Sequence, residues 1–135
     1  MERGDPDKPL VVVADDDPTM RHLFTRALSD AGYQVLVAMD VPEAMELLLS
    51  PGVRAAVLDM LFVNSAGRSG LDLLEFIRQD SLLTTLPVIV VTGFVLNPAI
   101  TRQVEALQAE VWQKPFEVLH LAKRLDELLQ HQPGG

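Results

Sequence analysis

The chain has 135 residues, 48% of them hydrophobic and 22% charged, which suits one globular domain large enough to bury a core without covalent staples. A formal net charge of −8 argues against non-specific nucleic-acid binding or adhesion to an anionic membrane, and the absence of cysteine removes disulfides, thiolate metal sites and thiol nucleophiles. Met1 to Pro9 is polar without the apolar centre of a secretory leader, and no apolar run reaches the length of a membrane span, so a soluble cytoplasmic domain is expected.

In chain order, residues 1–8 read as a disordered N-terminal segment, 9–130 as one domain and 131–135 as a flexible tail. Leu10–Ala14 is a valine-rich run of the kind expected for a strand covered on both faces. Met20, Leu23, Phe24, Ala27, Leu28 and Ala31 then recur at helical spacing, with Asp17-Pro18 as cap and first-turn proline and Gly32 as the stop. Tyr33–Ala38 reads as a second strand. Asp40 stands three residues before Glu43 in a capping-box arrangement, opening a helix expected to bury Val41, Ala44, Met45, Leu48 and Leu49 before the Ser50-Pro51-Gly52 turn.

Val53–Leu58 is the third strand, followed by a polar loop over Asn64–Gly70 and a helix carrying Leu71, Leu74 and Ile77. Pro87–Val91 is the fourth strand, with proline at its start, where a missing amide does least harm. Asn97-Pro98 caps a helix with Ile100, Val104 and Leu107; Val111–Gln113 is a short fifth strand. The last helix presents Val118, Leu121, Ala122, Leu125, Leu128 and Leu129. A βα unit repeated five times implies an α/β fold, a five-stranded parallel sheet with helices on both faces. The flavodoxin-like order 2-1-3-4-5 is the expected solution, and it puts a ligand crevice outside the carboxyl ends of strands one and three.

Four of those strands end in reactive residues. The first runs into Asp15 and Asp16, the third into Asp59, the fourth into Thr92 and the fifth into Lys114-Pro115. A parallel sheet gathers these ends at one edge. Three aspartates there need a counter-ion, and oxygen-only ligands without histidine or cysteine suit Mg²⁺. Lys114 can serve as a point charge for a phosphoryl oxygen or as a structural partner of an aspartate. Gly93 after Thr92 leaves room for a ligand. Asp17 separates from the cluster as the helix cap. His22, His120 and His131 show no ligand spacing and read as surface residues.

Taken together, Val-Val-Val-Ala-Asp-Asp-Asp-Pro around Asp15 and Asp16, Leu58-Asp59-Met60, Val90-Val91-Thr92-Gly93 and Lys114-Pro115-Phe116 resemble the response-regulator receiver domain of two-component signalling, over residues 9–130. The resemblance implies that Asp59 accepts a phosphoryl group from a sensor histidine kinase or a histidine phosphotransfer protein. It implies Mg²⁺ held by Asp15, Asp16, Asp59 and the backbone carbonyl of Leu61, with Thr92 as sensor and Lys114, before a cis proline, as counter-charge. It further implies a downstream protein target reached through helix 4, strand 5 and helix 5, and a monomer or weak dimer. Such a domain makes no nucleic-acid or membrane contact of its own and is no enzyme beyond self-phosphorylation and self-dephosphorylation.

Three departures from the family pattern stand out. The loop after Asp59 is long, contains Arg68 and has Val63 where the family commonly has proline. Val111 aligns with the family's aromatic switch position, with Trp112 adjacent and exchangeable with it by a one-residue shift. Leu61 and Phe94 are apolar at the positions flanking the path of attacking water, which predicts slow hydrolysis of an aspartyl phosphate. Among other classes, a haloacid-dehalogenase-type phosphatase wants an acid where Leu61 stands, and a dinucleotide-binding domain wants a Gly-x-Gly-x-x-Gly after the first strand. A pseudo-receiver, signalling by protein contact without phosphate, is the remaining alternative.

Overall fold

Alternating apolar strands and amphipathic helices assemble in the computed structural model, which describes residues 8–62 and 69–130, into one parallel sheet. The elements are β1 (Leu10–Ala14), α1 (Pro18–Asp30), β2 (Gln34–Ala38), α2 (Val41–Leu48), β3 (Val53–Asp59), α3 (Gly70–Gln79), β4 (Val88–Thr92), α4 (Pro98–Ala106), β5 (Glu110–Gln113) and α5 (Val118–Gln130). The strand order is β2-β1-β3-β4-β5, with every pair parallel, as expected from the βα repeat. The expectations for residues 1–7, 63–68 and 131–135 fall outside the described residues.

Side chains alternate across the sheet and divide the core in two. Val12, Ala14, Ala56, Leu58, Val88 and Val90 face one side, where Ala44, Leu48, Leu73, Leu74, Ile77 and Val104 of α2, α3 and α4 cover them. Val11, Val13, Ala55, Val57, Ile89 and Val91 face the other, under Phe24 and Leu28 of α1 and Leu121 and Leu125 of α5. Burying each larger aliphatic or aromatic side chain contributes about 1.5–3 kcal/mol, and alternate residues of the same strands hold the two helix layers.

The helix starts follow their caps. Asp17 accepts from the Thr19 amide, Asp40 from Glu43 and Asn97 from Ile100, each ahead of a proline in the first turn. Glu43 reaches back to the amide of Met39, one residue before the cap. Ser69 and Gly70, read in the sequence as the end of a loop, instead open α3. Ser69 and Asp72 form a reciprocal capping box.

At the end of α1, Gly32 takes a left-handed φ of 101°. Its amide bonds Ser29 and that of Tyr33 bonds Leu28, so Tyr33 closes the helix rather than opening β2. The Tyr33 hydroxyl then donates to Asp126 of α5. Two helix faces are narrower than their periodicity suggests. Leu23 is 45% exposed and Leu49 57% exposed, and Ala31 is exposed as well, because the apolar stripe runs wider than the sheet beneath it.

Candidate functional site

At the carboxyl edge of the sheet, the ends of the adjacent strands β1 and β3 flank the crevice in which the acidic residues converge. Asp15 follows the last residue of β1 and is fully buried. Its amide bonds Ala38, its Oδ1 accepts from the Asp17 amide at 2.9 Å, and its carbonyl accepts from the Arg21 guanidinium at 3.0 Å. Asp59 ends β3 and is 7% exposed. Asp16 is half-buried, and Asp15, Asp16 and Asp59 each offer a carboxylate oxygen within 4.8 Å of the others. Asp17 lies outside this group as the α1 cap, as expected.

Lys114 follows β5 and enters the crevice from the other side. Its Nζ stands 3.5 Å from Asp15 Oδ2 and 3.7 Å from Asp59 Oδ2, and its peptide bond to Pro115 is cis. Lys114 thus faces the two buried carboxylates, which stand close enough to repel one another. Burial, and then the charge of Asp15, push the pKa of Asp59 up from 3.8 to about 7, while Lys114 and the Leu61 amide, which bonds the Asp59 carboxyl, pull it down. Convergent donors that are all oxygen fit a hard divalent cation. Leu61 pairs with Ser69 in an antiparallel bridge, its side chain 55% exposed beside the crevice.

Sequence reasoning passed over Gly70, the residue that lets α3 approach. A Cβ there would lie 2.3 Å from the Asp59 carbonyl oxygen and 3.0 Å from Met60 Cα. The signal was the Ser-Gly-Leu-Asp start of α3, where a small residue follows a cap.

Thr92 ends β4, buried to 1% exposure. Its hydroxyl donates to the Phe94 carbonyl at 2.9 Å and accepts from the Phe94 amide at 3.2 Å. Phe94 is itself 46% exposed. Thus the hydroxyl closes the start of the β4–α4 loop.

Register decides between the two candidates on β5. Val111 pairs with Val90 and packs on the α4 side, whereas Trp112 pairs with Val91 and packs on the α5 side. Trp112 stands edge-on to Phe116 at 5.4 Å, and Phe116 reaches Phe24 of α1 at 6.3 Å. The Trp112 indole donates to Glu110, which also pairs with Arg124. Valine, not an aromatic ring, therefore occupies the α4-facing position. His22 and His120 are exposed, and neither belongs to a cluster of metal-ligating groups among the described residues.

Comparison with known proteins agrees with this geometry. The family described as "Response regulator receiver domain" matches residues 11–126. The chain is 34% identical over 124 residues to "Response regulator MprA" of Mycolicibacterium vanbaalenii, covering 89% of the chain and 50% of that protein. It is 31% identical over 128 residues to "Chemotaxis protein CheY" of Pseudomonas aeruginosa, covering 92% and 98% respectively. The fold superposes on chemotaxis protein CheY4 of Vibrio cholerae with a TM-score of 0.78 at 25% identity, covering 89% of this chain and 98% of that one. A CheY-like receiver domain from Methanospirillum hungatei shares the fold with a TM-score of 0.82 at 21% identity, over 92% and 95% of the two chains.

The chain belongs to the response regulator receiver domains, signalling domains of two-component systems. It spans about half the length of the mycobacterial response regulators it matches. Among the described residues no helix is long and apolar enough to cross a membrane.

Proposed function

We propose that this domain is a phosphoacceptor that takes a phosphoryl group onto Asp59 from a phosphohistidine of a sensor kinase or histidine phosphotransfer protein. A carboxylate oxygen of Asp59 attacks phosphorus, the P–N bond breaks, and the imidazole nitrogen keeps the electron pair and takes up a proton. Asp15, Asp16, Asp59 and the Leu61 carbonyl would hold Mg²⁺, which supplies charge neutralisation to the transferring oxygens when bound. Lys114, within 4 Å of both buried carboxylates, is placed to grip a phosphoryl oxygen as it arrives. The single observation that carries this reading is the convergence of Asp15, Asp16 and Asp59 within 4.8 Å, opposed by one lysine.

Thr92 then has a reason to change partners. Among the described residues its hydroxyl holds only the Phe94 backbone, and a phosphoryl group on Asp59 offers it a charged acceptor, a stronger bond than a neutral carbonyl. That exchange favours a second arrangement of the α4–β5–α5 face, which a downstream protein target reads. On β5, Val111 faces α4 while Trp112 faces α5. The domain works in the cytoplasm as a monomer or weak dimer, without nucleic acid of its own. Incubation with Mg²⁺ and acetyl phosphate, followed by intact mass, tests the reading. Wild type gains one phosphoryl group and Asp59→Asn gains none. An unmodified wild type would instead favour signalling by protein contact alone.

A further inference from the structure

Helix α4 is held very differently at its two ends. At its carboxyl end the amides of Gln108 and Ala109 bond the carbonyls of Glu105 and Val104, closing the helix with Gln108 at a left-handed φ of 60°. The two carbonyls just past the helix, Leu107 and Gln108, accept from Arg78 of α3, at 2.6 Å from Nε and 3.2 Å from Nη2. Nη1 of the same guanidinium donates to Leu86 at 2.7 Å and Thr84 at 3.2 Å in the α3–β4 loop. Arg78 thus ties three segments together through four carbonyl oxygens, and among the described residues it pairs with no carboxylate. A planar fork of donors can do this, whereas an ammonium on a flexible stem cannot. The only buried residue of α4, Val104, lies near this end too.

Among the described residues the amino end has no such clamp. Gly93, Phe94 and Val95 before it are exposed, as are Asn97, Pro98 and Ala99. The cap from Asn97 to Ile100 is exposed, and inward attachment rests on buried Leu96, on partly buried Ile100 and on the two bonds from Thr92 to the Phe94 backbone.

We propose that α4 is a lever, with the Arg78 clamp as its fixed pivot and the Thr92–Phe94 pair as its latch. The proposal rests on the phosphoacceptor reading for what opens the latch, but the pivot stands on the geometry of Arg78 alone. When the Thr92 hydroxyl turns to a phosphoryl group, Phe94 loses both bonds and the amino end of α4 swings. The carboxyl end stays in place, so displacement grows with distance from Leu107. Arg78 is a positioning residue: it touches nothing in the phosphoacceptor site, and it decides which end of the helix moves.

Amide hydrogen exchange on the full chain, read residue by residue by NMR, tests this in wild type, Thr92→Val and Arg78→Lys, and in wild type with Mg²⁺ and acetyl phosphate. Thr92→Val opens the latch without phosphate. Exchange at Phe94, Ile100 and Thr101 should rise about tenfold, as loss of a hydrogen bond implies, with Leu107, Gln108 and Ala109 unchanged. Arg78→Lys should give the reverse pattern, and phosphorylated wild type should match Thr92→Val. Equal change at both ends in Thr92→Val would overturn the lever, and so would unaltered exchange at Leu107–Ala109 in Arg78→Lys. If Arg78→Lys does not fold, Thr92→Val decides alone. Intact mass of the acetyl phosphate sample separates the two ideas: no phosphoryl mass overturns the phosphoacceptor reading, while Thr92→Val still judges the lever.

Discussion

Asp59 lies beside Asp15 at the ends of two adjacent strands, and burial together with that neighbouring charge pushes its pKa up to about 7. The folded domain therefore holds a proton there more tightly than the unfolded chain, whose reference value is 3.8. The stability that this proton supports is complete below pH 3.8 and is lost as pH rises through about 7. Metal-stripped protein should thus melt at progressively lower temperature across that window. Asp59→Asn should flatten the slope and stabilise the domain above pH 7 by about 1–2 kcal/mol. Calorimetry in chelator against pH checks this, and added Mg²⁺ should restore wild type at the alkaline end.

Gly70 permits the contact between α3 and the end of β3. Alanine would place a methyl 2.3 Å from the Asp59 carbonyl, against backbone that has no rotamer to give. Gly70→Ala should cost about 2–3 kcal/mol in urea denaturation and weaken Mg²⁺ binding, because the displaced atoms belong to Asp59 and Met60.

Gln108 meets the opposite condition, a side chain at a left-handed φ of 60° where glycine is unstrained. Gln108→Gly should stabilise the domain by up to about 1 kcal/mol, measured as a shift in denaturation midpoint with unchanged slope.

Leu61 and Phe94 expose apolar surface beside the acidic crevice, 55% and 46% exposed respectively. Neither can orient an attacking water. Replacing both, as Leu61→Asn with Phe94→Ala, should shorten the lifetime of a phosphoryl group on Asp59 several-fold. Loss of label from phosphorylated protein measures it, and an unchanged or longer lifetime would count against shielding by these two side chains.

The strand-terminal residues were legible in the sequence because a parallel sheet converts separate strand ends into neighbours. That rule brings Asp15, Asp59, Thr92 and Lys114 together without knowledge of the packing. Asp17, Asn97 and Gly32 were legible too, since caps are local. Ser69-x-x-Asp72 obeyed the same local grammar, but its polar residues merged with those of the preceding loop. Arg78 had no signal at all. Its acceptors are carbonyls, which every residue carries, contributed by segments up to 30 positions away. Val111 and Trp112 could be assigned only by register, because a one-residue slip exchanges the two faces.

The ion pair between Lys114 and Asp15 bridges 99 positions of sequence. A chain emerging from the ribosome holds all three acidic residues before its lysine has been made, and β5, which presents that lysine, is an edge strand and the fifth of the five in sequence. Until β5 docks, Lys114 cannot stand against Asp15 and Asp59, and closing so long a loop is slow. On the phosphoacceptor reading, the site is thus sealed only when β5 joins the sheet, and a nicked domain lacking that strand should stay silent.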